Sequence, residues 1–169
     1  MTHSSSSTAD ARQRRGIANA HWLWLSALVI GIDQFTKQLV VNHYGLYEST
    51  PLFTWLNLTR VHNTGAAFSM LAGATPWLFV GLSVVVTIGV MIWLRRHPYT
   101  HRLFGLCLAL IAGGALGNAI DRALRGHVID FVDFHIGAWH YPAFNVADCA
   151  IVAGAILIFV DMLLLSNRR

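Results

Sequence analysis

Apolar residues run almost unbroken through four blocks of the chain: Trp22–Val40, Pro76–Leu94, Leu103–Ile120 and Phe144–Leu165. Each is close to the roughly 20 residues that a helix needs to cross about 30 Å of hydrocarbon. Stretches such as Leu78–Phe79–Val80 and Val84–Val85–Val86 do not alternate polar with apolar residues, as barrel strands do. The pattern therefore predicts four transmembrane helices in an all-α membrane protein. The connections between them are unequal. Arg95–Arg102 is a short link with His97 and Pro98, whereas Val41–Thr75 and Asp121–Pro142 are longer and semi-apolar. Phe53, Trp55, Leu56 and Leu58 predict a short extended element before Arg60, and Val128–Ile129–Asp130–Phe131–Val132 predicts a second strand. Asn63–Thr64–Gly65 reads as a turn. Trp139 and Tyr141 suit an interfacial aromatic belt. The side holding both long connections is expected to carry a small folded cap on the membrane.

Composition agrees: 55% of residues are hydrophobic and 12% charged, against about 25% charged in an ordinary soluble domain. The net charge of +4 could suggest nucleic-acid binding, but its placement argues otherwise. Arg12, Arg14 and Arg15 precede the first block, Arg95, Arg96 and Arg102 lie between the second and third, and Arg168 and Arg169 follow the fourth; these are eight of the 12 basic residues. In a four-span chain all three places share one side, which the positive-inside rule makes the cytoplasm. The expected organisation is a disordered cytoplasmic tail at 1–20, one membrane domain at 21–166 with extracytoplasmic segments at about 41–75 and 121–143, and a cytoplasmic tail at 167–169. The first apolar run has no small-x-small cleavage site and reads as an uncleaved span. Cys107 and Cys149 are spaced for neither a metal site nor a disulfide framework and read as small packing residues. Gly113 and Gly117, four apart, signal close helix packing, or close approach to a ligand.

Ionisable groups near membrane spans are costly unless paired or open to a polar cavity, so each is a candidate site. Asp33 and Lys37 share a helix face with the acid N-terminal, the better orientation for an ion pair; they either neutralise each other or border a polar cavity. Asn118, Asp121 and Arg122 share a face at the end of the third span. Asp121 there opposes the helix dipole, so something must compensate it, and Arg122 or another basic group could do so. Asn145 and Asp148 have capping-box spacing, which allows either a structural cap or a carboxyl tuned by a helix N-terminus. Period-two alternation puts Asp130 and Asp133 on opposite faces of the second predicted strand, and composition alone does not choose which faces the bundle. Asp161, near the cytoplasmic end of the fourth span, reads as interfacial or paired.

Four ordered motifs resemble the bacterial lipoprotein signal peptidase family, also called signal peptidase II or prolipoprotein signal peptidase. They are Asp33–Gln34–x–x–Lys37; Asn63–Thr64–Gly65–Ala66–Ala67–Phe68; Gly113–Gly114–Ala115–x–Gly117–Asn118–x–x–Asp121–Arg122 continuing to Gly126–x–Val128–x–Asp130–Phe131; and Phe144–Asn145–x–Ala147–Asp148. The resemblance spans roughly residues 22–165. It implies four transmembrane helices with a periplasmic β-cradle and a short periplasmic helix, in an aspartyl protease of the inner membrane. It implies Asp130 and Asp148 as the catalytic pair, with Asn63, Gly65, Asn118, Asp121, Arg122 and Asn145 around the site. The implied substrates are diacylglyceryl-modified prolipoproteins, cut just before the lipidated cysteine, and the implied inhibitors are globomycin-type cyclic peptides. No metal, cofactor or nucleic acid is expected.

Two carboxyls sharing one proton suffice for peptide hydrolysis, because like-charge repulsion keeps one protonated while the other is ionised. Three other classes compete. His127, Asp130, Asp133, His135 and His140 are ligand types that suit zinc, but without a tight motif. A transporter or channel subunit would need polar groups near the bilayer midplane, whereas most polar residues here gather at the outer edge. A purely structural membrane protein is the third.

Overall fold

A computed structural model of the chain describes residues 21–65, 75–96 and 102–166. The expectations for the tails at 1–20 and 167–169, and for the middle of the Arg95–Arg102 link, lie outside the described residues. Four long helices are present: α1 (His21–His43), α2 (Pro76–Arg96), α3 (Arg102–Arg125) and α4 (Val146–Ser166). Of these, α2, α3 and most of α4 are long and apolar enough to cross a membrane. α1 has the length but carries Asp33 and Lys37 among its apolar residues. Leu82, Val85 and Ile88 on α2, and Ile156, Phe159 and Met162 on α4, are all exposed. Water would penalise so large an apolar surface; lipid does not. The chain is thus a helical membrane protein with a small sheet.

α3 is the central helix and packs against the other three. Its small residues set the distances. A Cβ on Gly113 would meet Val29 and Ser26 of α1 at about 3 Å, and one on Gly114 would lie 2.3 Å from the Ala147 carbonyl oxygen of α4. One on Gly117 would lie 2.7 Å from an Asp33 carboxyl oxygen. The glycines at 113 and 117 therefore serve the α1 seam and Gly114 the α4 seam, in agreement with the packing alternative.

The sheet contains β1 (Ser49–Phe53), β2 (Leu56–Asn63), β3 (Val128–Ile136) and β4 (Trp139–His140), antiparallel in the order β1-β2-β3-β4. The extended element expected from Phe53, Trp55, Leu56 and Leu58 is instead a hairpin: Phe53 ends β1, a turn covers Thr54 and Trp55, and Leu56 and Leu58 begin β2. The second predicted strand, β3, is longer than its cue. β2 continues through Arg60 to Asn63 because its partner β3 supplies a ladder there, with Val61 opposite Asp130 and Asn63 opposite Val128. α3 ends at Arg125; the Gly126 N–H bonds the Arg122 carbonyl at 3.1 Å, and its φ of 77° then turns the chain into β3. Val40 of α1 packs on Ile129 and Phe131 of β3, joining sheet to bundle. β1 is the exposed edge and holds Pro51, which discourages further pairing. The short periplasmic helix implied by the resemblance has no counterpart among the described residues, and residues 66–74 lie outside them.

Candidate active site

The site forms where β3, the start of α4 and the ends of α1 and α3 meet. Phe144 pairs with Val132 of β3 through backbone bonds of 2.9 and 3.1 Å. That pairing delivers the next residue, Asn145, to the strand and starts α4 immediately after it. Asn145 then forms the expected capping box. The Asp148 N–H donates to Asn145 Oδ1 at 2.9 Å, and the Asn145 N–H donates to Asp148 Oδ2 at 3.3 Å.

Asp130 is the strand acid that faces the bundle, only 1% exposed. Asp133 points the other way. It accepts from Asn57 Nδ2 and pairs with His140 Nδ1, both at 2.8 Å. Burial alone would raise the Asp133 pKa, but those two partners hold it below the usual range. The pKa of Asp130 is raised to about 7, first by burial and then by the neighbouring Asp148 charge, against the opposing pull of Asn63 and Asn145.

Three asparagine amides surround the two carboxyls, and each has its orientation fixed by a group that can only donate. Asn63 Oδ1 accepts the Gly65 N–H at 2.9 Å, so its Nδ2 faces Asp130 Oδ2, also at 2.9 Å. Asn145 Oδ1 is occupied by the Asp148 N–H, so its Nδ2 faces Asp130 Oδ1 at 2.7 Å. Asn118 Oδ1 accepts from Lys37 Nζ at 2.9 Å, and its Nδ2 donates to Asp148 Oδ1 at 2.7 Å. Ammonium and backbone N–H groups offer no acceptor, so none of the three amides can flip without leaving donors facing each other. Every carboxyl oxygen of Asp130 and Asp148 thus receives an N–H.

Behind these amides lies a fully buried ionic cluster. Lys37 Nζ lies 2.8 Å from Asp33 Oδ2 and 2.8 Å from Asp121 Oδ2, and its third donor goes to Asn118. Asp33 and Lys37 form the predicted pair, which also borders the site. Asp121 is compensated directly by Lys37 and Arg125. Of the basic groups the sequence offered, Arg122 instead donates to the Gly65 carbonyl at 2.6 Å and lies over the Phe79 ring at 4.6 Å. Asp121 also accepts the Ile129 N–H at 3.2 Å, which ties α3 to the strand beside Asp130. All of the predicted site residues therefore belong to one contiguous network.

Sequence reasoning gave no role to several contributors. Gln34 Nε2 reaches the Gly117 carbonyl at 3.0 Å and both Asp33 and Asp121. Asp33 Oδ1 accepts the Ala147 N–H of α4 at 2.9 Å, an inter-helix cap that i,i+4 spacing cannot reveal. Arg60 Nη1 donates to the Tyr44 carbonyl at 2.9 Å, at the end of α1; a lone arginine just after a predicted extended element was its only signal. His62 and His127 stack at 3.7 Å between ring centroids, and burial, first, keeps both below the usual imidazole range. The histidines and acids that suited zinc do not converge. His127 stacks on His62, His135 on His140, and Asp133 and Asp130 face opposite sides of β3. Asp161, expected to be interfacial or paired, is buried against the bundle.

The sequence profile of a family described as Signal peptidase (SPase) II matches residues 25–164. A lipoprotein signal peptidase of Burkholderia thailandensis is 50% identical over 154 residues, covering 88% of this chain and 90% of its own length. One of Yersinia enterocolitica is 47% identical over 143 residues, covering 83% and 85%. A bacterial membrane enzyme solved by the in meso method at 2.3 Å superposes with a TM-score of 0.81 at 30% identity, covering 89% of this chain and 92% of that one. Fold and relatives together define a class, the aspartic endopeptidases embedded in membranes. Within it, the chain belongs to the lipoprotein signal peptidase family, signal peptidase II. It is a multi-pass protein of the bacterial inner membrane that removes signal peptides from prolipoproteins.

Proposed function

We propose that Asp130 and Asp148 are the catalytic pair, and that they cleave just before a diacylglyceryl-modified cysteine. The observation that carries this reading is the convergence of two carboxyls, one buried on β3 and one half-buried on α4, on the single side chain of Asn145 and its backbone N–H. One carboxyl is ionised and one protonated, and they titrate as a unit. The ionised acid takes a proton from water, whose oxygen attacks the scissile carbonyl carbon. The protonated acid hydrogen-bonds the carbonyl oxygen as charge develops there. Collapse of the tetrahedral centre then releases the amine with a proton from the pair. Asn63, Asn118 and Asn145 hold the carboxyls, and Asp121 ties α3 to the strand. Gly65 and Arg122 join the turn after β2 to α3.

The proposed setting is four spans with both termini cytoplasmic. Residues 21–166 form one domain with outer segments at about 41–75 and 121–143, and residues 1–20 and 167–169 are tails. Exposed Leu28, Ile32 and Phe35 on α1, opposite the buried and paired Asp33 and Lys37, support a lipid-facing first span. The site then lies near the periplasmic face. Acyl chains of the substrate lie between spans while its peptide passes under the sheet, and globomycin-type cyclic peptides compete there. The test is a gel-shift cleavage assay with purified protein and a lipidated prolipoprotein. Asp130→Asn and Asp148→Asn should each abolish cleavage while remaining folded, and Asp133→Asn should keep most activity. Substantial cleavage by a folded Asp130→Asn or Asp148→Asn protein would refute the pair.

A further inference from the structure

The two carboxyls are not held alike. Asp130 sits among Val128, Ile129 and Phe131 in a strand and, among the described residues, accepts only from neutral side-chain amides. Asp148 lies in the first turn of α4, where the helix dipole favours negative charge, and accepts a backbone N–H there. Its other oxygen accepts from Asn118, whose amide oxygen carries the Lys37 ammonium. A cation on the amide oxygen polarises the N–H on the far side and strengthens its bond to a carboxylate. Asp33, bonded to the same ammonium, grips α4 at Ala147, the residue before Asp148. It reaches that N–H through the space that Gly117 leaves. The charged and titratable groups around Asp148 are Lys37 and Asp33 on α1, Arg122 on α3, Asp130 on β3 and Cys149 on its own helix.

We propose that Lys37, acting through Asn118, and Asp33, acting through the Ala147 N–H, are positioning residues that keep Asp148 as the ionised, water-activating member of the pair and leave the shared proton on Asp130. The inference rests on the reading of Asp130 and Asp148 as catalytic. It differs from a role in bundle stability alone, because it requires the pair to change the chemistry as well as the fold.

The test is the double variant Asp33→Asn/Lys37→Met, which removes one charge of each sign and leaves Asp121 paired with Arg125. The amide introduced at position 33 still offers an oxygen to the Ala147 N–H. Replacing both members of a buried ion pair is often nearly neutral for stability, so this variant should melt close to the wild type. With lipidated prolipoprotein it should keep KM within about twofold and lose about 100-fold in kcat, the scale of a small misplacement of reacting groups. The acidic limb of its pH–rate profile should move to higher pH, since a nearby cation no longer favours the ionised form. A wild-type kcat with an unmoved limb overturns the proposal, as does a kcat loss that tracks only the unfolded fraction. Infrared spectra near pH 5.5 give a second test that needs no change at Lys37. The carbonyl stretch of a protonated buried carboxyl should be lost in Asp130→Asn and persist in Asp148→Asn; the reverse pattern overturns the assignment. Cleavage by Asp148→Asn in the same assay would instead sink the catalytic pair itself.

Discussion

Asp130 shows how a residue's surroundings decide what its chemistry can be. The sequence placed it in a strand and allowed Asp133 as a rival, because alternation says that two faces differ without saying which is buried. The fold answers through the neighbours: Asp133 has His140 and Asn57, whereas Asp130 has burial and a second acid. That has a consequence for stability. A carboxyl raised from about 4 to about 7 binds more protons in the folded than in the unfolded state across that interval. Stability contributed by this group is therefore full below pH 4, falls as pH rises from 4 to 7, and is level above. Asp130→Asn has no such group. The wild type should lose more melting temperature between pH 5 and pH 8 than Asp130→Asn does, as measured by thermal unfolding in detergent. Equal losses would mean that Asp130 titrates normally. The asparagine orientations were not legible in the sequence, since they depend on donors from Gly65, Lys37 and the Asp148 backbone that only the fold brings together.

At the scale of elements, the existence of the four helices was legible because each apolar block has the length of a span, and their polar ends were not. α3 continues five residues past its last apolar block position, Ile120, to Arg125, because Asp121 and Arg125 are partnered rather than exposed to lipid. Strand ends were set by pairing that no local run of residues encodes, as Val61 opposite Asp130 shows. The glycines give the sharpest element-scale expectation. Gly114→Ala drives a methyl to 2.3 Å from a backbone oxygen that cannot rotate away, so α3 and α4 must separate. Overpacking of this kind costs about 1–3 kcal/mol, and it moves the helix that carries Asp148. Gly31→Ala meets nothing within 4 Å. The alanine at 114 should lower both melting temperature and activity, while the alanine at 31 lowers neither. Matching behaviour of the two variants in a melting and cleavage series would contradict the close α3–α4 seam.

For the whole molecule, one arrangement of charge accounts for both insertion and chemistry. Eight of 12 basic residues fall before the first apolar block, between the second and third, and after the fourth; in the proposed four-span topology these places share one side, and the acid pair, its amides and the sheet lie at the other. A reporter fused after Arg169 should therefore be active only in its cytoplasmic form; a periplasmic signal there would overturn the topology. Function was legible in the sequence because its polar residues are few and fall into ordered motifs. The link from Lys37 through Asn118 to Asp148 was not, since it crosses three helices. The central claim is that Asp130 and Asp148 work as one unit, and a double-mutant comparison tests it most directly. Cleavage rates of lipidated prolipoprotein should be measured for Asp130→Asn, Asp148→Asn and the two combined, each at matched folded fraction. If the carboxyls act together, the combined variant is scarcely slower than either single one. If the losses multiply, the two acids contribute independently and the shared-proton account is wrong.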